Sequence, residues 1–177
     1  MKKSYIERAL RMADILSSYM DSYTEIKSIY DRCRMASRDY NVRHKRSCVG
    51  FEFGSTRLAF IISDYVLKVD YQNRRSFGNS DTELKAWNFI RDEGMEKYFA
   101  EITKYVSKNG ITFYIMPRIN NVGESKTSDL FNYLRENDTS AYYFVMEYFE
   151  DIHDYNFGFK NGHPVIIDYA WNYLSEE

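Results

Sequence analysis

The segment from Asp151 to Asp168 constrains this chain more than any other stretch. It runs Asp151-Ile152-His153-Asp154-Tyr155-Asn156-Phe157-Gly158, then Phe159-Lys160-Asn161-Gly162-His163, then Pro164-Val165-Ile166-Ile167-Asp168. Asn161-Gly162 between two short runs predicts a hairpin with those two residues at its tip. A hairpin there brings Asn156 and Asp168 to one end of two paired strands. Both offer the hard oxygen donors that suit Mg²⁺, and Asp151, ahead of Asn156, can accept a hydroxyl proton. An aspartate, an asparagine and a strand-terminal aspartate in this order form the acidic half of a phosphoryl-transfer site.

The rest of the chain reads as α+β. Ile6, Leu10, Ala13, Leu16 and Met20, then Tyr23, Ile26 and Tyr30, recur at helical spacing, predicting helix over 3–39. Asp21-Ser22 breaks the run, with Ser22 as N-cap and Glu25 completing a capping box. The apolar stripe reads as core packing or as a face laid against the next domain. A homodimer through these helices is a further use for it. From residue 48 the period shortens. Gly50 to Ser55 reads as a glycine turn between strands, followed by Arg57–Ile62, a tight Ser63-Asp64 turn and Tyr65–Val69. Residues 81–90 are predicted as helix, with Leu84, Trp87 and Ile90 or Phe89 on one face. Ile102–Val106 and Ile111–Met116 are two further strands across Lys108-Asn109-Gly110. Two short helices, 128–135 and 140–149, precede the acidic loop. Tyr142, Tyr143, Tyr148 and Phe149 read as core beneath that loop, and Asp154 as a solvent-facing turn residue. His153 reads as structural.

Length and composition bound the function. The 177 residues suit one compact domain or two small lobes, and 18% aromatic content with 17 tyrosines argues for a folded chain. A net charge of −2 offers no global attraction to nucleic acid or anionic membrane. Arg43-His44-Lys45-Arg46 reads as a solvated linker. Cys33 and Cys48 lack disulfide-framework and metal-site spacing, which points to a reducing cytoplasm. No apolar run approaches the roughly 20 residues of a membrane span.

Lys68 sits in a strand between Leu67 and Val69, and Glu83 follows on the next helix. A salt bridge between the two would hold the lysine ready for phosphate oxygens. Taken with Gly50-x₃-Gly54-Ser55, Asp151-x₄-Asn156 and Ile167-Asp168, this order resembles the protein-kinase-like superfamily over residues 48–172. The loop Asp-Ile-His-Asp-Tyr-Asn-Phe-Gly is most similar to those of small bacterial-virus-encoded Ser/Thr kinases and aminoglycoside-phosphotransferase-like proteins. The resemblance implies a minimal bilobal fold: a five-stranded antiparallel N-lobe sheet with one αC-type helix at 48–118, and a small helical C-lobe at 119–177. The helices of 1–40 would be an extension. Nine residues follow Asp168, so the C-lobe is expected to be truncated.

The resemblance also implies ATP and Mg²⁺ as cofactors and the cytoplasm of a bacterial or virus-infected cell. Lys68 would contact the ATP phosphates and Glu83 would orient it. Asp151 would be the catalytic base, and Asn156 and Asp168 the metal ligands. Gly50, Gly54 and Ser55 would cover the phosphates, and the backbone at Met116 would receive the adenine. Two function classes follow. One is a phosphotransferase acting on Ser or Thr hydroxyls of a protein substrate. The other is a pseudokinase-like module that grips and modulates a host protein.

Overall fold

In the computed structural model, residues 3–54, 56–71, 80–149 and 152–169 are described; Ser55 and Asp151 lie outside them. The chain divides into two compact units, Met1–Arg74 with Thr103–Arg118, and Arg75–Ile102 with Ile119–Glu177. Both N-terminal helices group with the sheet, and the helix carrying Glu83 groups with the second unit. That division differs from the sequential boundaries at 40 and 118.

The first unit contains α1 (Lys3–Asp21), α2 (Ile29–Arg43), β1 (Gly50–Phe53), β2 (Arg57–Ile62), β3 (Tyr65–Asp70), β4 (Thr103–Val106) and β5 (Thr112–Pro117). The strands form an antiparallel sheet in the order β1-β2-β3-β5-β4. Alternation drives it: Leu58, Phe60, Ile62, Tyr65, Leu67 and Val69 are buried, and the residues between them are half-buried. This face shares one core with Ala9, Ala13, Leu16 and Met20 of α1 and Cys33, Ala36 and Tyr40 of α2. The amphipathic stripe of α1 therefore packs on the chain's own sheet. Each large apolar side chain so buried contributes about 1.5–3 kcal/mol.

The helical break falls at Asp21, as the sequence suggests, but Ser22 is not the cap. Its hydroxyl donates back to the Ser18 carbonyl at 3.3 Å, and the chain turns through Tyr23 before restarting. Ser28 caps α2 instead, its side chain accepting the Asp31 N–H at 3.2 Å.

The second unit contains α3 (Ser80–Asp92), a 3-10 turn at Glu96–Tyr98, α4 (Thr127–Asn137), α5 (Thr139–Tyr148), and the hairpin of β6 (Phe157–Lys160) and β7 (His163–Ile166). Rings join these elements: Phe89 stacks on Phe144 at 5.5 Å, and Phe99 meets Phe149 at 5.0 Å and Tyr169 at 5.4 Å. Tyr169 donates its hydroxyl to the Ala100 carbonyl at 2.6 Å, and the Ala100 N–H donates to the Ile166 carbonyl at 2.8 Å. Of the aromatics expected in the core, Tyr143 is 64% exposed. The helical period turns Ala141, Phe144 and Val145 inward and Tyr143 out.

Candidate functional site

The site residues fall into two groups, one on each unit. On the sheet, register places Gly50 opposite Ile61, Ile61 opposite Val66, and Val66 opposite Met116. Directly paired residues share a face, so Gly50 and Met116 lie on the face away from α1 and α2. Lys68 lies on that same face two residues beyond Val66, half-buried, with Ala59 and Tyr114 as its cross-strand neighbours. Lys104 stands next in the row, its ammonium 5.6 Å from the Tyr114 ring centroid. Beyond packing, the alternation of β3 thus points Lys68 away from the helix-covered core.

Two expected backbone contacts are already engaged. The Gly54 N–H donates to the Arg57 carbonyl at 2.8 Å, closing the β1–β2 turn, and the Gly54 carbonyl accepts the Tyr71 hydroxyl at 2.8 Å. The Met116 carbonyl accepts the Tyr5 hydroxyl at 2.8 Å. Tyr5 also packs edge-on against Tyr65, and Arg8, one turn along α1, is ion-paired with Asp64. Helix α1 therefore buttresses the end of β5 with polar contacts that no sequence spacing announces.

On the second unit, the hairpin brings Asn156 and Asp168 together as its Asn161-Gly162 tip requires. Phe157 pairs with Ile166, and the Ile167 N–H donates to the Asn156 carbonyl at 2.8 Å. Asn161 (φ 54°) and Gly162 (φ 79°) adopt the left-handed turn that such a two-residue loop demands. Asn156 is buried and Asp168 half-buried. Glu83 lies on the inward face of α3 with Ala86, Trp87 and Ile90, and is fully buried. No buried side-chain polar atom among the described residues lacks a partner, so this carboxylate is satisfied inside the protein.

Asp154 departs from the sequence reading. Its Oδ1 accepts both the backbone N–H (2.7 Å) and the hydroxyl (2.8 Å) of Thr127, the first residue of α4. Lys126 Nζ stands 3.4 Å from its other oxygen. The Thr127 hydroxyl, then the Thr127 N–H, hold the carboxyl below its ordinary range. Asp154 is thus a clamp between the acidic loop and α4, because a free helix N-terminus attracts a carboxylate. Its carbonyl also accepts the Gly123 N–H at 3.1 Å. Gly158 completes the fit: a Cβ there would lie 2.6 Å from the Asn120 carbonyl oxygen and 2.8 Å from Ile119 Cγ2. His153 Nδ1 accepts the Tyr155 N–H at 3.3 Å, a structural role.

Comparison with protein-family models, curated proteins and solved structures finds no match. An amide oxygen and a carboxylate at one hairpin end suit a hard cation. Mg²⁺ keeps several waters and takes one or two protein carboxylates besides substrate phosphates, so this small donor set fits it. Among the described residues no group of three or more His, Cys, Asp or Glu side chains could hold a metal by themselves. No described helix is long and apolar enough to cross a membrane.

Proposed function

We propose that the chain is an ATP- and Mg²⁺-dependent phosphotransferase of kinase-like type, acting on a protein hydroxyl. The observation that supports it most is the β6–β7 hairpin, which puts Asn156 and Asp168 at one end directly after the acidic loop. An antiparallel five-stranded sheet with a lysine on its third strand agrees with that reading. In this reading Lys68 holds the ATP phosphates and Glu83 orients Lys68. Asp151 takes the proton from the acceptor hydroxyl as its oxygen attacks the γ-phosphorus; the bond to the β-phosphate oxygen breaks and ADP leaves. Asn156 and Asp168 would hold Mg²⁺, which supplies charge neutralisation at the phosphate oxygens.

Thermal melting of the chain with and without ATP and Mg²⁺ tests the nucleotide site. Ligand at about 100 times its Kd adds roughly 2.7 kcal/mol, a clear upward shift. An unchanged melting temperature at millimolar nucleotide would sink the reading. Transfer of labelled γ-phosphate, abolished in Asp168→Ala, separates turnover from binding.

One observation favours the second reading, a binding module that modulates a partner protein. The Gly54 N–H, a natural phosphate donor, is committed to Arg57. A module of this kind would show the nucleotide-dependent melting shift weakly or not at all, and no label transfer.

A further inference from the structure

At the far end of the hairpin from Asn156 and Asp168 lies a cavity of about 520 Å³ within the second unit. That volume falls within the range of small-molecule pockets. Its walls come from three elements: Lys97 and Tyr98 of the 3-10 turn, Tyr133 and Asn137 of α4, and Lys160 and His163 at the hairpin tip. None of the described residues lining it carries a carboxylate, and the polar side chains there are donors or donor-capable. Lys97 spends one N–H on Asp138 at 2.8 Å and a second on the Tyr98 side chain, leaving one. Asn137 gives one amide N–H to the Tyr133 carbonyl at 2.9 Å, leaving one. The Tyr133 hydroxyl and His163 Nδ1 are 2.7 Å apart. With the phenol donating, the imidazole keeps its proton on Nε2 as a further donor. Lys160 has no ion-pair partner among the described residues. Two ammonium groups and neutral donors arriving from three elements match the several acceptor oxygens of a tetrahedral oxyanion. The Tyr98 and Tyr133 rings and Val165 add apolar wall, and the space exceeds what a bare anion fills.

We propose that this cavity binds a small organic phosphate monoester, at a site separate from the Asn156–Asp168 end of the hairpin. A four-residue strand, about 13 Å of chain, separates the two places. The assignment stands independently of the phosphotransferase reading.

Calorimetric titration of the full chain with phenyl phosphate, inorganic phosphate and benzoate is the test. Saturable binding of phenyl phosphate is expected, with inorganic phosphate and benzoate weaker. Lys160→Gln should weaken phenyl phosphate about tenfold, the loss of one charge-assisted hydrogen bond, and Lys160→Arg should retain it. Asp168→Ala should leave the affinity unchanged. In the unsubstituted protein, the His163 ring resonances should shift along the same titration. No saturable heat at millimolar phenyl phosphate overturns the proposal, as does binding untouched by Lys160→Gln or lost in Asp168→Ala. Equal affinity for inorganic phosphate overturns the assignment to an organic phosphate.

Discussion

In the sheet unit, Leu58, Phe60, Leu67, Phe113 and Ile115 meet Ala9, Ala13, Leu16 and Met20 in one apolar core. Beside that core Ser17 and Ser107 pair their hydroxyls at 2.7 Å. The second unit packs aromatic rings and ties its acidic loop and helix ends with polar clamps. Asp154 holds Thr127, and Asp138 caps α5 at Ala141 while accepting from Lys97 and Tyr98. The contrast is between stability from buried area and position from directed bonds. An apolar core tolerates exchange of similar volumes, whereas a clamp sets where a backbone oxygen or carboxylate sits. The acidic loop, whose candidate chemistry needs placement, lies in the clamped unit.

The largest effect expected is in the sheet core. Phe60→Ala should cost about 4 kcal/mol in urea unfolding, since Phe60 is fully buried between Phe51 and Phe113. A loss below about 1 kcal/mol would break the assignment of that face as the core.

A pair of glycines sharpens the contrast next. Gly158→Ala should cost about 2–3 kcal/mol, because the new Cβ meets a backbone oxygen at 2.6 Å that cannot rotate aside. It should also weaken any melting shift from ATP and Mg²⁺. Gly54→Ala, whose Cβ would find its nearest neighbour at 3.8 Å, should change stability by less than about 1 kcal/mol. Equal costs at the two positions would show that the loop is not tightly seated.

Acid unfolding probes the clamps. The Asp154 and Asp138 carboxyls are held below their ordinary value of 3.8, by Thr127 and by Lys97 respectively as the leading causes. A carboxyl lowered on folding stabilises fully above that ordinary value and loses its contribution as pH falls through the folded one. The stability gap between the wild type and Asp154→Asn should therefore be constant above pH 3.8 and close below it. A gap independent of pH down to the acid transition would remove Asp154 as a charged clamp.

The smallest effect is chemical. Burial pushes the Cys33 thiol up to about 12, while Cys48 is exposed. Alkylation should mark Cys48 in the native protein and Cys33 only as fast as the sheet unit opens. Prompt labelling of Cys33 would mean that the core breathes far more than its packing implies.

Much of this was legible residue by residue. Alternation through Arg57–Ile62 and Tyr65–Asp70 marked the strands, and Lys108-Asn109-Gly110 and Asn161-Gly162 marked their turns. These signals are local, since a period of two or a demand for positive φ is written in adjacent residues. Ser22 misled because a good capping pattern competes with a hydroxyl that can bond back to its own helix, and local pattern does not rank the two. Tyr143 misled because aromatic content alone does not state which side of a helix faces in.

By itself the sequence determined the α+β element order and the hairpin that sets Asn156 and Asp168 at one end. Only the tertiary structure decided that α1 and α2 close the sheet's core, that Tyr5 takes the Met116 carbonyl, and that Asp154 clamps α4. The physical reason is range. Periodicity and turn chemistry act within a few residues, but the Tyr5–Met116 bond spans 111 positions and the Asp154–Thr127 bond 27. Partners so distant are chosen by which surfaces the packed elements bring together, and no local spacing encodes that choice.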